Sequence, residues 1–202
     1  LQKMASDEPR GLDEQIEDAY SIRATPQIMG PVVDTLRYVQ EVVETELNSS
    51  NDNPLIVVAE GEAIHNANFH GQYIANAMDQ LAIVLVNMCN LSDRRNNRLL
   101  DPARNGDLPP FLCKENPGIR QGLMGGQFMA TSLTAEIRQM CTPMSIQSLP
   151  STGDFQDHVS FGLNAARRTR DILRNAQYIL AFELICACQA ADIRDVVQLS
   201  GA

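Results

Sequence analysis

No tryptophan occurs in the 202 residues, and aromatic side chains make up only 5% of them. Strands favour aromatic and β-branched residues, so this shortage argues against a sheet-based core. It leaves aliphatic packing rich in Met and Ala, which suits helices. Positive charge is also scarce. Sixteen Lys and Arg against 25 Asp and Glu give a formal charge of −9. Without a basic stripe nothing neutralises a phosphate backbone, which argues against a nucleic-acid partner. The densest basic stretch, Arg94-Arg95-Asn96-Asn97-Arg98, is short and flanked by acids.

Long apolar runs are missing too: Leu81 to Met88 falls far short of the roughly 20 residues a membrane helix needs, so no membrane partner is expected. No signal peptide is visible, and a first residue of Leu1 reads as an excised piece. His65, His70 and His158 fall into no ligand spacing. Cys186 and Cys188, two apart on a helix, face different ways, so no metal site is expected. Cys89, Cys113, Cys141, Cys186 and Cys188 are odd in number and lack framework spacing, and the chain is ample for a core without staples. Reduced thiols in a cytoplasmic protein are the expectation.

What is present, 44% hydrophobic and 20% charged residues, is ordinary for a globular protein. Residues 1–16 read as a lead-in loop. Pro31 after Gly30 is a favourable helix start, and Val32, Leu36, Val39, Val43 and Leu47 give one amphipathic helix. A polar loop, 48–68, holds an extended piece at 55–58. A long helix over about 70–99 carries Ile74, Met78, Leu81, Leu85, Met88 and Leu91 and is apolar nearly all round from Leu81 to Leu91, implying burial on several sides. Residues 100–119 are Pro-rich and irregular, 122–140 is helical and ended by Pro143, and 147–157 is a second polar loop. The last helix, about 158–193, carries Val159, Leu163, Ala166, Leu173, Ala176, Leu180, Leu184 and Ala187 and is roughly 50 Å long. The expected fold is all-α: a single helical region over 1–202, an elongated bundle of long, roughly antiparallel helices with polar loops at the helix ends.

Four stretches carry chemistry. In Glu17-Asp18-Ala19-Tyr20-Ser21-Ile22-Arg23, closed by Pro26-Gln27 and Gly30-Pro31, a phenol and a guanidinium stand three apart. On a helix such residues share a face. Arg offers a planar donor fork for a carboxylate and Tyr can relay a proton, so the pair suits an amino-acid substrate. It suits an amphipathic surface patch equally well. Asn48 to Leu55 is very polar for a link between buried helices, and a C-cap followed by Asx turns accounts for Asn48 and Asp52. Asn68-Phe69-His70-Gly71 opens the second long helix, where Phe69 fits a hydrophobic staple. Phe155-Gln156-Asp157-His158-Val159-Ser160 precedes the last helix, with Asp157 as a candidate N-cap. The glycines of Gly122-Leu123-Met124-Gly125-Gly126 follow no strand and point to close helix approach rather than a phosphate loop.

These stretches together resemble a known family. Tyr20 to Gln27 resembles the Gln-Asp-x-Tyr-Ser-x-Arg-x-x-Pro-Gln segment of the aromatic amino acid ammonia-lyases and 2,3-aminomutases, which carry a methylidene-imidazolone (MIO) prosthetic group. Asn48 to Pro54 is similar to their Asn-Ser-x-x-Asp-Asn-Pro, Asn68 to Gly71 to their Asn-Phe-His/Gln-Gly, and Gln156 to Ser160 to Gln-Asp-x-Val-Ser or Glu-Asp-His-Val-Ser. The resemblance implies a tyrosine 2,3-aminomutase in natural-product biosynthesis. In such an enzyme the electrophilic group captures the substrate amine, a base removes a β-proton, and the amine returns to Cβ of an arylacrylate. Two alternatives stand beside it: a tyrosine, phenylalanine or histidine ammonia-lyase that releases the arylacrylate, and, for the isolated piece, a helical oligomerisation module without activity. Phe155 and the Asn66-Ala67 pair argue against the histidine enzyme.

By the same resemblance Tyr20 is catalytic, Arg23, Phe69, Phe155 and Gln156 meet the substrate, and Glu17, Asn53 and His70 support them. The partners implied are an aromatic amino acid and further copies of the chain, in a homotetramer whose active sites combine three subunits. Two departures stand out. Glu17 replaces a family Gln and can pair with Arg23 in competition with the substrate carboxylate. The Ala-Ser-Gly triad that forms MIO is absent, since Ala5-Ser6-Asp7 lacks the Gly. The chain therefore matches a central and C-terminal part of a family member.

Overall fold

The computed structural model describes residues 17–196, so the lead-in loop expected at 1–16 lies outside the described residues. The all-α expectation holds. A single helical turn, α1 (Tyr20–Arg23), leads into α2 (Thr25–Leu47); α3 (Gln72–Leu100), α4 (Met124–Met140) and α5 (Gly162–Ile193) follow. The polar link after α2 contains a small antiparallel hairpin, β1 (Leu55–Val57) on β2 (Glu62–Ile64), with Leu55 opposite Ile64.

Side-chain pairings fix the helix directions. Arg95 of α3 meets Ser21 and Thr25, at the start of α2, while Asn68, just before α3, meets Ser50, just after α2. Those two helices are antiparallel. Gln127 and Arg138 of α4 meet Asn97 and Asn90 of α3, again antiparallel. Successive helices thus alternate, and α3 and α5 run parallel. Cross-links join these two along their whole length: Ser160 to His70, Thr169 to Met78, Arg168 to Asp79, and Glu183 to Arg95. By length and composition α3 and α5 pass for membrane spans, but these buried polar links turn them toward each other.

The core lies between α3, α4 and α5. Ala82, Leu85, Val86 and Cys89 of α3 pack on Ile137 of α4 and Ile172, Ala176 and Ile179 of α5. A second cluster joins Leu100, Leu108 and Leu112 to Ala130, Phe182 and Cys186. All five cysteines are free. Burial, followed by the charge of Glu183, pushes the Cys89 and Cys186 thiols up to about 12, so both stay protonated and inert as thiolates. Cys186 is buried and Cys188 exposed, the opposed facing their spacing implied.

Several local expectations are corrected. The second helix begins at Thr25, with Pro26 in its first turn, and Pro31 lies inside it. Pro31 removes the bond to the Gln27 carbonyl, but both residues face solvent, where water can take the freed oxygen. The last helix begins at Gly162 after a left-handed Phe161, so Asp157 is not its N-cap, and 32 residues give roughly 48 Å. Its buried stripe is Ala165, Thr169, Ile172, Ala176, Ile179 and Cys186, while Leu163 and Leu184 are 71% and 64% exposed. Similarly, Thr35 of α2 is buried where Leu36 was expected.

The glycine reading holds at one position. A Cβ on Gly126 would lie 2.1 Å from Cε2 of Phe182, whereas Gly125 faces open space. Gly126→Ala is expected to lower stability by about 1–3 kcal/mol through overpacking. Gly125→Ala, which gains helix propensity, is expected to be neutral or slightly stabilising. Urea unfolding of the two variants checks the contrast; equal midpoints would remove the close approach as a constraint.

Candidate active site

The residues singled out from the sequence form two groups at opposite ends of α3. The first is built on α1. Its turn places the guanidinium carbon of Arg23 4.6 Å from the centre of the Tyr20 ring, a cation–π contact. Glu17 reaches the same guanidinium at 2.6 Å, so the pairing expected from its carboxylate is present. Tyr20 also walls a groove of about 500 Å³ between the start of α2 and the middle of α3, with Gln27, Asn87, Asn90 and Arg94.

The basic stretch on α3 is split by this arrangement. Arg94 pairs with Asp93. Arg95 turns the other way: its Nε donates to the Ser21 carbonyl at 2.9 Å and one Nη to Thr25 Oγ1 at 2.6 Å. Sequence reasoning missed Arg95 as a site residue. The only local signal was a cation among acids; its partners lie 70, 74 and 88 positions away.

The second group surrounds the start of α3. Asn53, followed by a cis peptide bond to Pro54, accepts the backbone N–H of Asn66 on its Oδ1 at 2.9 Å. That fixes the amide, and its Nδ2 makes no hydrogen bond among the described residues. Phe69 and His70 lie in a 3₁₀ turn, Asn68–His70, that ends at Gly71 with φ of 72°. Glycine alone takes that left-handed position without strain, and it lets α3 start at Gln72. His70 stacks on His158 with ring centres 5.9 Å apart and donates from Nε2 to the His158 carbonyl at 3.1 Å. Ser160 Oγ closes the link by donating to the His70 carbonyl at 2.6 Å.

These bonds bring the loop before α5 against the loop before α3. Phe155 and Gln156 occupy the tip of that second loop, where Gln156 exchanges backbone bonds with Ser151. Phe155 is 89% exposed. A cavity of about 790 Å³ opens beside His70, between the end of α2 and residues 67–73. In its wall, Asn51 Oδ1 and Gln72 Oε1 are buried without a donor. Buried acceptors in native proteins are normally satisfied, so this end asks for donors beyond the described residues.

Asn53, Phe69, His70, Phe155 and Gln156 thus share one end of the bundle, and Glu17, Tyr20 and Arg23 lie elsewhere. Arg95, which holds the α1 corner, stands roughly 35 Å along α3 from Gln72 at 1.5 Å per residue. No single copy of the chain brings all eight residues together. One group has a guanidinium fork and a phenol, the other two exposed aromatics and two carboxamides.

The sequence and the fold are shared with known proteins. The family profile described as aromatic amino acid lyase matches residues 3–201. Tyrosine ammonia-lyase of Cupriavidus metallidurans is 54% identical over 183 residues, covering 91% of this chain and 34% of that protein. Tyrosine 2,3-aminomutase of Chondromyces crocatus is 47% identical over 176 residues, covering 87% of this chain and 33% of that one. The solved structure of Pantoea agglomerans phenylalanine aminomutase superposes with a TM-score of 0.89 at 58% identity, covering 98% of this chain and 39% of that one. The chain spans about a third of the length of the curated relatives it matches.

Proposed function

The chain belongs to the aromatic amino acid lyase family, and from that premise we propose that it is part of an MIO-dependent 2,3-aminomutase converting tyrosine to β-tyrosine. The Tyr20–Arg23 pair carries this reading. Arg23 holds the substrate carboxylate as a charge-assisted, two-point pair, and the substrate displaces Glu17 from the same guanidinium. The Tyr20 hydroxyl, on the same face, moves protons at the amine. Phe69 and Phe155 offer apolar surface to the ring, Gln156 faces the amine or carboxylate, and His70 ties the two loops together.

The residues present suit the MIO group. It exposes a carbonyl oxygen and a ring nitrogen, both acceptors, and Asn53 Nδ2 and the Tyr20 hydroxyl are donors that could face them. When bound, MIO supplies an electrophile for the substrate amine. Its Ala-Ser-Gly source is not in these 202 residues, so the piece taken alone is a helical assembly module without activity.

The assembly we propose is a cytoplasmic homotetramer, free of nucleic acid and membrane, in which Tyr20 and Arg23 of one subunit meet the loop residues of another. The roughly 35 Å between the groups, the outward leucines of α5 and the unsatisfied Asn51 and Gln72 oxygens support it. A lyase that releases coumarate is the second reading, favoured by the 54% identity to a tyrosine ammonia-lyase.

Incubating the complete enzyme with L-tyrosine and separating the products decides between them. β-Tyrosine supports the mutase and coumarate alone the lyase. Neither product, with phenylalanine and histidine also inert, would refute the substrate class. In the active enzyme Arg23→Ala is expected to raise KM roughly 10- to 100-fold, the range of a hydrogen bond to a charged group; an unchanged KM would remove Arg23 from the carboxylate.

A further inference from the structure

The turn that carries Tyr20 and Arg23 has little to hold it. α1 is four residues long, none buried, and no side chain caps its N-terminus. One helical turn is unstable by itself, because nucleation fixes several dihedrals for a single bond. The geometry of these two side chains must therefore be set from outside the turn.

Arg95 ties this corner to α5. Nε donates to the Ser21 carbonyl at 2.9 Å, between Tyr20 and Arg23 in sequence. One Nη donates to Thr25 Oγ1 at 2.6 Å, and that hydroxyl donates to the Ile22 carbonyl at 2.6 Å. The other Nη pairs with Glu183 Oε1 of α5 at 3.1 Å. The two residues it touches on the α1 corner flank Arg23: Ser21 two positions before it and Thr25 two after. All three nitrogens of the fork are engaged, and the pair is mostly buried. The neighbouring Arg94 is spent on Asp93, so it is no substitute.

We infer that Arg95, oriented by Glu183, is a positioning residue that aims Tyr20 and Arg23 at the substrate's amino-acid end. The inference rests on the reading of Arg23 as the carboxylate clamp. A rigid, planar fork is needed because three acceptors lie in three directions; Lys has the charge but only a point donor on a flexible stem. Misplacing a binding group by about 1 Å can cost on the order of 100-fold, so loss of the fork should be felt at the carboxylate without touching the substrate.

The test uses the complete enzyme with its MIO-forming serine replaced, so that binding is read apart from turnover. Calorimetry would measure affinity for coumarate and for 4-vinylphenol, which has the same ring and vinyl group without the carboxylate. Arg95→Met is expected to weaken coumarate roughly 10- to 100-fold and to leave 4-vinylphenol unchanged, with Arg95→Lys restoring little. Thr25→Val, which removes one partner and keeps the charge, should shift coumarate in the same direction and serves if Arg95→Met does not fold. Arg23→Ala is the reference. If Arg23→Ala leaves coumarate binding intact, the carboxylate reading fails. If Arg23→Ala weakens it and Arg95→Met or Thr25→Val does not, or if both ligands weaken together with the melting temperature, the positioning role is overturned.

Discussion

Tyr20→Phe in the complete enzyme is expected to lower kcat by about 10²- to 10⁴-fold, the usual worth of a positioned proton-transfer group, with KM little changed. The substitution removes one oxygen and nothing else. The ring remains beneath the Arg23 guanidinium, 4.6 Å from its carbon, so the proposed carboxylate clamp keeps its support. Formation of arylacrylate and β-amino acid, followed together by chromatography, reads the loss. A kcat within tenfold of the parent would take Tyr20 out of the proton path and leave it as packing for Arg23.

The second large effect is on stability. Asp79→Ala is expected to cost about 3–5 kcal/mol, the penalty for removing one partner of a buried ion pair. Asp79 of α3 and Arg168 of α5 are 6% and 13% exposed at their side chains. The other carboxylate oxygen of Asp79 accepts the Ser145 backbone N–H at 2.8 Å, so one residue ties α3 to α5 and to the chain after α4. Without it Arg168 keeps its charge in a poorly hydrated place, with its Nε already lacking a partner. Such a loss is a large share of the roughly 5–15 kcal/mol that holds a domain folded. Urea denaturation monitored by circular dichroism measures it; a change below about 1 kcal/mol would mean that water reaches and solvates Arg168.

The helices were legible because their apolar residues recur at helical spacing, and their ends mostly fell within a few residues of the observed ones. Which face is buried was less legible. On α5 the large leucines suggested the core stripe, but the buried line is the smaller Ala165, Thr169, Ile172 and Ala176. A helix apolar on two sides has no unique stripe, and packing against α3 selects the side with small residues, which permits close approach. Pro31 misled for a related reason: proline is costly inside a helix only where its missing bond cannot be replaced.

At the candidate site, adjacency in sequence was the legible part. Tyr20 and Arg23 share a face because they are three apart on a helical turn, and Glu17 is near enough to reach them. Arg95 and Glu183 could not be found that way, since they meet only when α3 and α5 lie side by side. The resemblance of Asn53, Phe69, His70, Phe155 and Gln156 to one family put them on the same list as Tyr20. It gave no hint that a full helix length lies between.

That helix length has a consequence for how the chain can change. Each residue inserted into α3 would advance everything beyond it by about 1.5 Å and turn it by about 100°. A single insertion between Gln72 and Arg95 would swing the guanidinium away from both the Ser21 carbonyl and Glu183, while the histidine stack at the other end stayed put. The segment 101–119, whose regular structure is a single 3₁₀ turn at Pro110–Leu112, can gain or lose residues on either side of that turn without such a change of phase. α3 therefore works as a ruler with a fixed number of divisions, and evolutionary drift in length has to be absorbed elsewhere.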